Sequence, residues 1–244
     1  MKYFLLIVSL AFGSSNAWSS DHDGTPSQLA VIWECTLNDG ITARDVAEWG
    51  STDFKKFTEK NSLNMTSYLW EAISVNPPFD APDVRWVDYY PSWSDFYEAD
   101  AAWLSSGRLA EDYFNLVTCE KPITARTLQA GAPVPEEKIK TLYARVCQLN
   151  EGATIQDAVA YREAVNKIQN SQIKEGSVGS FLFSPGFGLS GFDYVAAVAG
   201  SVEDMALVLD GSLDGSTAAA IESAGHSEPA QCVVDLHRSH TMVN

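Results

Sequence analysis

The sequence predicts an α+β protein: two tandem β-α-β-β-α-β units packed sheet to sheet within one chain. Three observations carry this. A short phrase is written twice, CTLNDGITARD (Cys35–Asp45) and CQLNEGATIQD (Cys147–Asp157), with Cys, Leu, Asn, Gly, Thr and Asp at equivalent positions. The cysteines fall at matching intervals, 84 residues from Cys35 to Cys119 and 85 from Cys147 to Cys232. The same order of strand-like and helix-like segments follows each copy of the phrase. Self-similarity at a long, fixed period marks a repeated structural unit.

Each unit opens on an apolar strand, LAVIWECTL (Leu29–Leu37) and TLYARVCQL (Thr141–Leu149). A turn follows at Asn38-Asp39-Gly40 and Asn150-Glu151-Gly152, where glycine supplies positive φ. Thr42 and Thr154 are N-cap candidates with Asp45 and Asp157 three residues on, close to a capping box. The doubled phrase therefore reads as strand, turn and helix start rather than an active-site loop. The helix of the second unit shows one buried face in Ala158, Tyr161, Ala164, Val165 and Ile168. That of the first is less regular (Val46, Trp49, Phe54, Phe57), and Gly50-Ser51 predicts a bend or break.

A second strand comes next, Thr66–Val75 and Val178–Phe187, then a Pro- and Gly-rich loop; SPGFGLSG (Ser184–Gly191) reads as a hairpin loop. The third strands are Val84–Tyr90 and Phe192–Gly200. Ser92 or Ser94, and Ser201, cap a second helix over about 94–104 and 202–209. Short helices are expected at 110–114 and 216–223. Last strands, FNLVTCEKPI and QCVVDLH, carry the second cysteines. This is a split βαβ order of ferredoxin-like type. Its first and last strands are antiparallel neighbours, so cysteines on them can approach bridging distance. The repeat and this topology agree on Cys35–Cys119 and Cys147–Cys232. The first unit covers 29–123, the second 141–244, and 124–140 reads as a linker.

The first 17 residues, MKYFLLIVSLAFGSSNA, have one cation, an apolar run and a small-x-small end, the pattern of a secretory signal peptide. Residues 18–28 read as a flexible stretch that includes His22, to which no role is assigned. No later segment has the ~18 apolar residues that a membrane helix needs. An exported chain favours disulfides, and the absence of a CxxC pair argues against zinc. The expected location is periplasmic or secreted. The formal charge of −16 and the absence of any basic run exclude nucleic acid and anionic lipid as natural partners.

Two such units in tandem, with aromatic strands, resemble the dimeric α/β-barrel superfamily. Its members include antibiotic-biosynthesis-type monooxygenases, EthD-like proteins, stress-responsive barrel proteins and the haem-binding chlorite-dismutase-like group. The resemblance rests on repeat length and element order over about residues 29–240. It implies two four-stranded sheets that meet face to face and close a barrel. No motif of any one family is present, so the resemblance transfers no activity. One disulfide per unit departs from the cytoplasmic members and suits an exported relative.

Asp88 is the candidate acid or base. It stands in VRWVDYY, with Trp86 and Tyr90 on its own face and Arg85 on the other. A carboxylate among rings loses solvation and its pKa rises; Tyr90 and Arg85 are the candidate helpers. The second unit has Ala197 at the matching position, so such a site would be one-sided. Trp33, Trp70, Trp86 and Trp93 from the first unit, with Phe181, Phe183 and Tyr194 from the second, are candidates to line an apolar pocket. His237 and His240, three apart in a strand, face opposite ways and form no metal pair. No cofactor or metal is implied; GxSxG, HExxH and a phosphate-binding glycine loop are missing. The leading expectation is an exported barrel that binds a small apolar or aromatic molecule. The alternatives are a cofactor-independent oxygenase, isomerase or dehydratase-like enzyme using Asp88, and a structural protein with a filled barrel. A cavity above ~300 Å³ with Asp88 pointing inward would favour the enzyme.

Overall fold

A computed structural model describes residues 27–75, 82–186 and 191–244; the expected signal peptide, most of the 18–28 stretch and residues 187–190 of the expected 184–191 loop lie outside them. The elements run β1 (Leu29–Leu37), α1 (Ala43–Trp49), a π-helical turn (Gly50–Phe54), α2 (Lys55–Lys60), β2 (Thr66–Ser74), β3 (Val84–Tyr90), α3 (Trp93–Leu104), α4 (Arg108–Leu116), β4 (Val117–Cys119), β5 (Ile123–Gln129), β6 (Ile139–Leu149), α5 (Ile155–Gln172), β7 (Val178–Pro185), β8 (Tyr194–Gly200), α6 (Val202–Leu213), α7 (Ser216–Ser223) and β9 (Ala230–Val243).

The doubled phrase folds as its chemistry requires. Thr42 and Thr154 each accept from the amide three residues on, and Asp45 and Asp157 each accept from the cap amide. Gly40 and Gly152 take φ of 78° and 82°, where a side chain would strain the turn. The interruption expected at Gly50-Ser51 takes the form of a change of helix type, not a break. Gly50 is helical, and the π turn carries the chain on into α2. Its glycine answers a different need: a Cβ there would collide with the side chain of Met242 on β9.

The front half orders its strands β2-β3-β1-β5 and the back half β7-β8-β6-β9, with every pairing antiparallel. Two further pairings, β2 with β9 and β5 with β7, join the halves and close an eight-stranded ring. The halves therefore meet not only face to face, as expected, but also edge to edge through backbone hydrogen bonds. The segment expected to be a linker supplies one of these seams. Ile123–Gln129 alternates, with Ala125 and Thr127 buried and Arg126 exposed, as a strand with one wet face must. The rest, 130–138, is a strap. Ala130 donates to the Ser180 carbonyl, and the Ser180 amide donates to the Ala132 carbonyl.

Cys35 faces Cys119 across β1 and β4, and Cys147 faces Cys232 across β6 and β9. Both expected disulfides are formed. Two bridges place the chain in an oxidising, extracytoplasmic setting. Among the described residues no helix is long and apolar enough to cross a membrane.

Helices cover the outside and side chains fill the lumen. The lumen core draws on both halves, with Ile32, Trp70 and Val87 packed with Leu142, Phe183 and Ala197. Outside the front sheet, Val46, Phe54, Trp86 and Tyr113 pack between strands and helices. The back sheet is covered by two smaller clusters under α5 and α6.

Candidate functional site

β3 alternates strictly. Trp86, Asp88 and Tyr90 face the helices, while Arg85, Val87 and Tyr89 face the lumen. Three donors converge on Asp88 because of this geometry. Ser67 lies directly opposite in β2, and its hydroxyl donates to Oδ1 at 2.6 Å. Trp86, two residues before, donates its indole N–H to the same oxygen at 2.8 Å. Tyr90, two residues after, reaches Oδ2 at 3.5 Å. Oδ1 is thus well satisfied and Oδ2 only loosely. Asp88 is 6% exposed. Burial drives its pKa up to about 6, against the lowering effect of the three donors.

Asp88 lines a cavity of about 160 Å³ between the front sheet and its helices. Its wall includes Trp33, Trp49, Phe54, Trp86, Trp103 and Tyr113. The rings meet edge to face: Trp86 and Tyr113 at 5.3 Å, Phe54 and Trp86 at 5.2 Å, Trp103 and Tyr113 at 5.6 Å. Such contacts add about 0.5–1.5 kcal/mol each beyond area burial. The indole N–H of Trp49 is buried and finds no partner. Burial also raises the Tyr90 and Tyr113 phenols, so both stay protonated donors at neutral pH.

The back half has no counterpart. The paired cysteines fix the equivalence, since Val84 faces Cys35 and Tyr194 faces Cys147. Counting along the strands from there sets Val198, not Ala197, against Asp88, with Ala196 against Trp86 and Gly200 against Tyr90. Small apolar residues replace the polar and aromatic set, so the site is one-sided.

The remaining candidates are dispersed. Arg85 does not reach this cavity, because strand alternation sends it into the lumen. There its Nε bonds Glu34 at 3.0 Å, and Nη1 lies 3.3 Å from His237 Nε2. His237 is fully buried, and burial, aided by the Arg85 charge, takes its pKa down to about 4. Its Nδ1 has no partner. Trp70 and Phe181 line a different cavity, of about 200 Å³, at the end of the barrel where β1, β2 and β6 begin. Phe183 is packed behind them against Trp70, Tyr89 and Phe181. Trp93 is 42% exposed on α3, against Phe96 and Tyr97. Tyr194 is buried in the back-half core. Among the described residues no group of three or more His, Cys, Asp or Glu is arranged to hold a metal.

Sequence reasoning missed Trp49, Trp103 and Tyr113. They come from three different helices, and only their helical spacing onto one face could have flagged them. Lys140 at the barrel-end cavity was missed because it fell at the edge of the expected linker.

No protein-family model and no curated protein matches this sequence. Among solved structures the chain is similar to a double mutant of chlorite dismutase from Candidatus Nitrospira defluvii, with a TM-score of 0.49 and 10% identity over 87% of this chain and 91% of that one. It is also similar to that organism's chlorite dismutase in complex with imidazole, with a TM-score of 0.47 and 10% identity over 86% and 90%. No ligand or reaction passes to this chain from similarity at this level.

Proposed function

We propose that this is an exported barrel protein, two ferredoxin-like units in one chain, that binds a small aromatic molecule in the front cavity. The observation that carries the reading is the cavity itself: a wall of rings with one buried carboxyl whose Oδ2 has a single long hydrogen bond. Such a site suits a flat apolar ligand with one hydrogen-bond donor directed at Asp88. Secretion to the periplasm or medium fits the two bridges and the leader-like first residues. The matched strand orders and capping boxes of the halves support the tandem-unit reading.

Native mass spectrometry of protein purified from its source tests the idea, together with calorimetric titration with indole and with toluene. Saturable binding of indole, tighter than that of toluene and weakened in Asp88→Leu, is the expected result. Equal affinity for both probes, or no saturable binding with nothing co-purifying, would overturn it and leave a filled structural barrel.

One observation favours an enzyme as the second reading. A carboxyl poised near pH 6 in a mostly apolar cavity is the form a general acid or base takes. Tyr90 is then its helper, and Arg85 on the opposite face takes no part. The cavity's 160 Å³ is below the ~300 Å³ of common ligand pockets and restricts either reading to a molecule of about one ring, since a cavity of ~150 Å³ can hold benzene.

A further inference from the structure

The barrel-end cavity has a chemistry of its own. Its floor is aromatic and apolar, with Trp70, Tyr89, Leu142 and Phe181. Lys140, only 5% exposed, projects into it from the start of β6. An ammonium taken out of water is costly unless it is paired. The hydrogen-bond partners of Lys140 are neutral: its Nζ donates to the Glu137 carbonyl at 2.9 Å and the Thr241 hydroxyl at 3.1 Å, and the Glu136 and Glu137 carboxylates act on it without a hydrogen bond. The third proton has no oxygen acceptor, and the ring of Tyr68 lies 5.0 Å from Nζ. In a chain with 32 acidic and 16 basic side chains, a buried lysine bonded only to neutral oxygens is set apart. The opposite wall is rigid. Gln129 donates to the carbonyls of Gly131, Ala132 and Ser180, which fixes the strap that closes that side.

We propose that this cavity is a second binding site, for a small aromatic or aliphatic monocarboxylate. The carboxylate takes the free proton of Lys140, and the apolar body lies against Trp70, Tyr89 and Phe181. One cation with one uncommitted proton suits a monoanion. A phosphate or sulfate would need a larger set of donors, and a cationic ligand would be repelled. A volume of about 200 Å³ admits a ring-sized molecule. The site is independent of Asp88, which lies on the other side of the sheet.

Titration with benzoate and its neutral isostere benzamide, followed by heteronuclear NMR, tests the proposal. Benzoate should bind saturably, about tenfold or more tighter than benzamide, with shifts centred on Trp70 and Phe181. Lys140→Met should bring benzoate down to the level of benzamide, and Lys140→Arg should keep the preference. Equal affinity for the two probes in the unaltered protein would overturn the proposal, and so would an absence of saturable benzoate binding. A preference retained in a folded Lys140→Met, or shifts centred on Trp49 and Trp86, would overturn it equally. If Lys140→Met does not fold, the two probes with the unaltered protein and Lys140→Arg decide.

Discussion

Two buried residues set opposing pH responses. Asp88 has its folded pKa raised to about 6, so the folded state holds its proton more tightly than the unfolded chain. Its contribution is fully present below about pH 4 and is lost as pH rises to 6. His237 has its folded pKa lowered to about 4, so the unfolded chain takes up the proton first. Its contribution is present above about pH 6.5 and is lost as pH falls towards 4. Each shift corresponds to up to ~3 kcal/mol. Asp88→Asn should therefore be stabilised relative to the parent above pH 6, with the difference fading by pH 4. His237→Gln should gain relative to the parent as pH falls from 6.5 to 4. Urea unfolding at a series of pH values checks both, and parallel profiles for parent and variant would refute either. The raised carboxyl was legible in the sequence, because alternation in VRWVDYY put Asp88 beside Trp86 and Tyr90. The fate of His237 was not, since its Arg85 neighbour comes from a strand 152 residues away.

Among the elements, the capping boxes and the strap offer contrasting tests. Thr42→Ala and Thr154→Ala each remove a cap acceptor and should cost about 1 kcal/mol, read by thermal unfolding. Gly179 on β7 should be far less forgiving. A Cβ there would meet the backbone of Pro133 and Val134 in the strap, and backbone yields less readily than a side chain. Gly179→Ala should cost about 1–3 kcal/mol and loosen the barrel-end cavity; an unchanged melting temperature would show that the strap is not seated on β7. Caps and turns were readable because their chemistry is local. β5 and the outer half of β9 were not, because each owes its place to partners in the other half of the chain. The irregularity at Gly50 was readable, but the packing need for glycine there was not: its partner, Met242, is nearly at the end of the sequence.

At the scale of the molecule, both disulfides lie within halves and both seams lie between them. A protease nick in the strap between 130 and 138 should leave one species on gel filtration, held by β2–β9 and β5–β7. The same sample should separate into two fragments on a denaturing gel even without reductant. A nicked protein that separates under native conditions would show that the seams cannot hold the halves. Closing a loop of this length by a disulfide is worth roughly 4 kcal/mol on the chain-entropy model, so the double variant Cys147→Ala, Cys232→Ala should melt well below the parent.

Closure of the ring has a consequence for crowding. An open sheet ends in a row of bare amides and carbonyls onto which a neighbour's strand can add, the first step towards fibrils. Here β2 and β5 of one half pair with β9 and β7 of the other, so most of the edge that each half alone would bare is covered, and β4 and the first part of β9 keep short one-sided edges. That arrangement limits strand addition between copies whatever the cavities hold.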